Sequence, residues 1–340
     1  MSPRGAWGLV LPLLLAVTAG PERAERRLSL MGTSLDVTVE AADRATALAA
    51  SERAVTALEA AEARLSTWRD DTELARLNRA PVGEPVTLSA ELAAELAAAR
   101  RCWEETGGAF DPAVGPLVRA WGLRQGGRRP TEDELRAAVA AGSLDGLRLD
   151  GRTAVRERAD LILEEGGWGK GAGLAGALAA LAAVPGVRQA TLDLGGQVAV
   201  FSRGGTPWRV PVADPRHRDR QVVALLIDRG SVSTSGNSER GIVVEGERLG
   251  HILDPRTGRP APDFGSMTVW ASDPLMADCL STGLYVMGPE AALAWAADHP
   301  GIEVVALRPA GGKLEALATP GLEGKIFALA DGVSIRVRRG

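Results

Sequence analysis

The sequence predicts an α+β fold, a single compact domain of mixed helices and largely antiparallel or mixed sheets. Three observations predict it. Helical and strand-like segments alternate along the chain, no internal repeat is evident, and no long linker divides the 340 residues. The composition, 45% hydrophobic and 24% charged, is that of a globular chain with ample material for a buried core. A formal net charge of −4 offers no global attraction to nucleic acid. Two cysteines, Cys102 and Cys279, are too few for a disulfide framework or a cysteine zinc cage.

Taken in order, residues 1–20 read as a secretory signal peptide: Arg4, an apolar stretch centred on Leu13-Leu14-Leu15, then small residues Val17-Thr18-Ala19-Gly20. The apolar run is shorter than the ~20 residues that span a bilayer. The domain is therefore expected over 21–340, in an exported protein of the periplasm or cell envelope, membrane-associated if the segment is retained. Alternation of Leu35, Val37 and Val39 with Asp36 and Thr38 predicts a half-buried strand. An Ala-rich stretch over 42–65 predicts a helix. A second helix runs from Ser89, an N-cap, to Thr106, where Gly107-Gly108 stops it. A third starts at Thr131, in capping-box spacing with Glu134, and ends before Gly142. Strands follow at 190–194 and 198–201, a helix at 289–297, and strands at 304–307 and 333–337.

Four constellations carry chemistry. Glu164-Glu165-Gly166-Gly167-Trp168-Gly169-Lys170-Gly171 precedes a helix predicted over 172–182. A glycine turn feeding a helix N-terminus exposes N–H groups to an anion, and Lys170 adds a cation. Neither common nucleotide fingerprint is met, so a plain turn is an equal reading. Asp278, Ser281 and Thr282 share one helix face by their i, i+3, i+4 spacing, as oxygen ligands for Mg²⁺ or simply as a polar face. His251 heads the run His251-Ile252-Leu253-Asp254-Pro255-Arg256-Thr257-Gly258 and is a general-base candidate, whereas His217 and His299 read as surface residues. Ser231-Val232-Ser233-Thr234-Ser235-Gly236 lacks nucleophile-elbow spacing and reads as a turn or a ligand-bonding segment. Cys279, flanked by apolar residues, reads as packed.

In this order, the segments resemble the FAD:protein FMN transferase (ApbE) family. The resemblance rests on Met31-Gly32-Thr33, Ser66-Thr67-Trp68 with Leu77-Asn78, and Gly108-Ala109-Phe110-Asp111-Pro112-Ala113-Val114-Gly115-Pro116 with Trp121-Gly122. After the glycine-lysine turn come Asp193-Leu194-Gly195-Gly196, Thr234-Ser235-Gly236, the run from His251 to Pro260, and Asp278-Cys279-Leu280-Ser281-Thr282 with Val286-Met287-Gly288. The resemblance implies a T-fold-like architecture and a Mg²⁺-dependent enzyme that cleaves FAD, attaches FMN through a phosphoester to a Thr or Ser of a target protein, and releases AMP. It further implies that Asp278, Ser281, Thr282 and Gly167 contact the metal and that His251 takes the acceptor's proton. FAD contacts would come from Met31, Trp68, Ala109, Phe110, Asp111, Glu164, Lys170, Ile252 and Leu253. The implied acceptor is a membrane redox subunit or a flavin-carrying domain. Two departures are visible: Glu164-Glu165 stands where the family has an Asp-Leu pair, and Trp168 where it has a smaller aliphatic residue. Two other functions share these residues: an FAD pyrophosphatase releasing FMN and AMP, and a non-catalytic exported flavin-binding protein.

Overall fold

The structure is a computed structural model that describes residues 22–237 and 241–338. The expected signal segment, 1–20, lies outside the described residues. The strands of the main sheet, labelled along the chain, are β1 (Glu22–Leu30), β2 (Thr33–Ala41), β3 (Val187–Leu194), β4 (Gln197–Ser202), β5 (Gly230–Gly236), β6 (Ser266–Ala271), β7 (Glu303–Ala310), β8 (Lys313–Ala318) and β9 (Val333–Val337). Their order across this nine-stranded sheet is their order in the chain. Every pair is antiparallel except β8 with β9.

Strand period explains β2: Leu35, Val37 and Val39 are buried, and Asp36, Thr38 and Glu40 point to the half-exposed face. Strand β1, where the sequence showed only a charged run, folds because its charges fall on its outer face and edge. There Arg27 makes a bidentate pair with Asp36 of β2 at 2.6 and 3.0 Å.

Among the described residues there are eight α-helices: α1 (Arg44–Leu65), α2 (Glu73–Arg79), α3 (Ala90–Glu105), α4 (Gly115–Ala120), α5 (Glu132–Ala141), α6 (Gly169–Ala182), α7 (Pro274–Met287) and α8 (Pro289–Ala297). Their starts are written in side chains that accept from the first turn: Asp43 for α1, Ser89 for α3, and the Thr131–Glu134 capping box for α5. Helix α6 starts at Gly169, three residues before the predicted start, so Gly169 and Gly171 are helical rather than part of the turn. Glycine at 171 is dictated by packing, because a Cβ there would lie 2.4 Å from the Pro274 carbonyl oxygen at the start of α7.

Helices α1 and α6 cover one face of β1–β4, with Leu58, Leu174 and Leu181 against Leu35, Val37 and Leu192. Helix α7 covers β5 and β6 on the same side, joined by α3 and α8 in one core. The other face, around Val200, Val232 and Val305, is closed by a small antiparallel sheet of Trp208–Ala213, Gln221–Ile227 and Ile326–Ala328. A second small sheet joins Pro85–Thr87, Thr153–Arg156 and Leu147–Asp150, and Gly241–Val244 pairs with Glu247–Gly250 as a separate hairpin.

The segment read as a turn or a ligand-bonding segment, Ser231 to Gly236, is no turn but the central strand β5. Cys279 is fully buried, as its apolar neighbours suggested. His217 is exposed, but His299 is half-buried, its ring stacked 3.6 Å from that of Trp295. Among the described residues no helix is long and apolar enough to cross a membrane.

Candidate active site

Two periodicities meet between β5 and α7. The two-residue period of β5 turns Ser231, Ser233 and Ser235 toward α7, and the helical spacing of Asp278, Ser281 and Thr282 turns those side chains toward β5. The Ser281 hydroxyl lies 2.9 Å from that of Ser235 and 3.2 Å from that of Ser233, and donates to the Asp278 carbonyl at 2.9 Å. Thr282 Oγ1 is 3.3 Å from Ser235 Oγ.

Asp278 is 2% exposed, so its carboxylate needs partners. Oδ2 accepts from the Gly171 N–H at 2.9 Å, and Oδ1 accepts from Ser233 at 3.3 Å with Lys170 Nζ at 3.7 Å. Gly171 is the third residue of α6, and that helix has no side-chain cap of its own at Trp168. A carboxylate from α7 therefore supplies the capping bond and meets the positive end of the α6 dipole.

The glycine turn delivers its backbone to the same place. A Cβ on Gly167 would sit 3.3 Å from Thr282 Oγ1 and 3.2 Å from Phe110 Cε2, so only glycine leaves this hydroxyl open to a ligand. Phe110 and Ala109 are buried, and Gly283 makes room for Phe110 on α7. Trp168, one of the two departures, is wholly buried and donates from Nε1 to the Glu164 carbonyl at 2.8 Å, so the turn is wrapped around it. The Glu164 carboxylate pairs with Arg124 and lies 3.1 Å from the Thr67 hydroxyl; burial pushes its pKa up. Met31, at φ +51°, forms the β1–β2 turn with Gly32 at φ +70°. Its N–H donates to Glu62 at 3.0 Å, and its thioether lies over the first turns of α6, beside Gly169 and Gly173. A left-handed non-glycine residue costs about 1–2 kcal/mol and marks a position held by its surroundings.

His251 follows the Glu247–Gly250 strand and is half-buried at the head of a pinned loop. Gly258 donates to the Asp254 carbonyl at 2.7 Å, and Trp121 Nε1 donates to the Gly258 carbonyl at 2.7 Å. Ile252 sinks into the core that holds Phe110 and α7, whereas Leu253 sinks into a separate cluster with Leu117, Trp121 and Leu135. Asp111 spends both oxygens on main-chain N–H groups, Ala113 at 2.8 Å and Leu144 at 3.1 Å, and burial raises its pKa to about 6.

The structure thus gathers Gly167, Lys170, Phe110, Asp278, Ser281 and Thr282 at one locus, and Trp68 with Glu164 around Arg124. It turns Asp111 and Leu253 toward the chain's own backbone and core. Ser233, Ser235, Thr67 and Arg124 were not among the sequence-predicted site residues. The alternation of hydroxyls in residues 231–235 was the available signal for the two serines; nothing local signalled Arg124. Among the described residues no three His, Cys, Asp or Glu cluster as a metal cage. The donors here are one carboxylate, hydroxyls and a main-chain carbonyl, which suit a hard divalent cation that completes its shell with water or phosphate.

The model of the ApbE family matches residues 31–306. The FAD:protein FMN transferase of Salmonella typhimurium is 34% identical over 288 residues, covering 81% of each chain. That of Vibrio cholerae is 31% identical over 304 residues, 85% of this chain and 89% of the relative. Among solved structures, the flavin transferase ApbE from Vibrio cholerae has a TM-score of 0.78 at 28% identity, covering 90% of this chain and 99% of that one. The apo Pseudomonas stutzeri flavinyl transferase ApbE has a TM-score of 0.78 at 26% identity, covering 90% and 97%.

Proposed function

The chain belongs to the ApbE family, and from that premise we propose that it is an FAD:protein FMN transferase. A Thr or Ser hydroxyl of an acceptor protein attacks the FMN phosphorus of FAD. The new P–O bond forms as the pyrophosphate P–O bond breaks, AMP leaves, and the hydroxyl proton passes to His251. The observation that carries this reading is the meeting of Asp278, Lys170 and the glycine turn at the N-terminus of α6. That meeting supplies a cation and oxygen ligands in one place.

Cleaving a pyrophosphate is chiefly a matter of position and charge neutralisation. Lys170, beside the glycine turn, would hold the phosphates. Asp278, Ser281, Thr282 and the Gly167 carbonyl would hold Mg²⁺, which, when bound, neutralises charge on the phosphates. Phe110 and Trp168 wall the turn against water. His251, on a loop fixed by Trp121 and Gly258, would take the acceptor hydroxyl's proton. We place the protein outside the cytoplasm on the strength of residues 1–20, with a membrane redox subunit or a flavin-carrying domain as acceptor.

The test is mass spectrometry of a Thr-bearing acceptor domain incubated with the protein, FAD and Mg²⁺. An FMN-sized adduct that appears with AMP and is lost on chelation is expected. AMP and free FMN without adduct, or unchanged FAD, would refute transfer.

A further inference from the structure

The glycine turn opens on Glu164-Glu165, and Arg124 pairs with the first of these carboxylates while the Thr67 hydroxyl meets the second. Arg124 reaches across from the loop after α4, where Leu123 N–H bonds the Val118 carbonyl at 3.0 Å and Arg128 N–H the Trp121 carbonyl at 2.8 Å. One edge of its guanidinium is tied down: Nη1 donates to the Thr67 carbonyl at 2.9 Å, and Nη2 donates to Thr67 Oγ1 and to Glu164. The Thr67 hydroxyl in turn donates to Glu165. With its edge spoken for, the guanidinium carbon stands 4.4 Å from the centroid of the Trp68 ring.

Trp68 is 68% exposed, the most exposed of the large apolar side chains among the described residues. One face of its indole lies against Arg124 and its side chain remains open to solvent. An indole held this way has already given up its rotamer freedom, so a flat partner that stacks on it does not meet that cost. Arg suits the role where Lys does not, because a planar fork can bond in its plane while stacking on a ring. The plate also stands where a dinucleotide needs one. Glu164, bonded to Arg124, opens the glycine turn that ends at Gly167 beside Thr282.

We infer that Arg124 is a positioning residue that clamps the Thr67-Trp68 segment to the glycine turn and holds the Trp68 indole as a stacking plate for one flat ring of the dinucleotide substrate. The inference rests on the FAD reading above. Arg124 touches no reacting atom, so its loss weakens binding and leaves turnover at saturation in place.

The experiment measures dissociation constants of the whole protein, without acceptor, for FAD, ADP and FMN, alongside kcat and KM for FAD with the acceptor domain. Arg124→Ala is expected to weaken FAD binding about tenfold, with kcat changed by less than about twofold. Arg124→Lys restores only part of the loss, because it keeps the charge toward Glu164 but not the fork. Trp68→Ala weakens binding as much as Arg124→Ala, and the double variant adds nothing further. The loss falls on ADP alone if the stacked ring is adenine, and on FMN alone if it is isoalloxazine. Unchanged constants in Arg124→Ala, equal losses for ADP and FMN, additive effects with Trp68→Ala, or full rescue by Lys would each overturn the inference. If Arg124→Ala does not fold, Arg124→Lys and Trp68→Ala carry the same comparison. A wild-type protein that binds none of the three ligands would overturn the FAD reading itself, which is a different result.

Discussion

Replacing Gly171 with alanine tests the crossing on which the site is built. The new Cβ would lie 2.4 Å from the Pro274 carbonyl oxygen, 2.6 Å from Leu275 Cα and 2.8 Å from Asp278 Cβ, whereas ordinary contact begins at 3.4 Å. Two of those three atoms are backbone, so no rotamer change relieves the clash, and α6 and α7 must part by about 1 Å. Overpacking of this kind costs about 1–3 kcal/mol. The parting also stretches the 2.9 Å bond from Gly171 N–H to Asp278, a charge-assisted bond worth about 1.5–3 kcal/mol. Alanine in a helix returns about 1 kcal/mol. The net expectation is a destabilisation of about 3 kcal/mol, a fall in melting temperature of about 4–5 °C for a chain of this length, with weaker Mg²⁺ dependence. Gly176→Ala is the control on the same helix: its Cβ meets nothing nearer than Ala57 Cβ at 3.9 Å, so it should be neutral or raise stability by up to about 1 kcal/mol. Calorimetry of the two variants decides. Equal melting temperatures would refute the argument that the α6–α7 crossing is set by the absence of a side chain at 171.

Asp278→Ala removes the acceptor of Gly171 N–H and the partner of Lys170, and should raise the half-saturating Mg²⁺ concentration more than about tenfold; an unchanged metal titration removes Asp278 from the site. His251→Asn should lower FMN transfer about 100-fold or more while FAD binding stays within about twofold, and full transfer in that variant would end its role as proton acceptor. Asp111 provides a pH test. Its carboxyl is raised by burial to about 6, so the folded chain binds more protons than the unfolded one between about pH 4 and 6. The contribution of this group to stability is therefore present below about pH 4 and falls by about 3 kcal/mol as pH rises through 6. Asp111→Asn should be less stable at low pH, having one acceptor for two N–H groups, and should lack that decline; parallel stability profiles for the two proteins would contradict it.

The parts of this fold legible in the sequence were those where one residue's chemistry decides a local outcome. Ser89 and Thr131 announce helix starts because a hydroxyl accepting a first-turn N–H is a local event, and Leu35, Val37 and Val39 announce β2 because side chains alternate across a strand. Strand β1 escaped notice because its charges satisfy themselves on a neighbouring strand, through Arg27 and Asp36. The start of α6 was misplaced because a glycine normally ends helices, and only the approach of Pro274 reveals why one stands inside. At the site, the α7 face was readable from spacing alone. Its partners Ser233 and Ser235 were visible as hydroxyls of a turn or a ligand-bonding segment, since only the sheet shows that residues 230–236 are a strand. Arg124 was out of reach because its meaning depends on Thr67 and Glu164, 57 and 40 positions away in the chain.

The central strand also limits how this protein can change over evolutionary time. Ser233 and Ser235 reach α7, while Thr234 reaches Thr268 on the opposite face at 2.9 Å and Val232 packs into the far core. Substitution explores that strand one face at a time. A one-residue insertion or deletion does not, because it swaps every side chain beyond it to the other face, sending a valine or threonine to Asp278 and a serine into oil. Length in β5 is therefore closed to lineages descending from this chain. Diversity in the family's chemistry has to come from point changes along that strand or from the loops that face it.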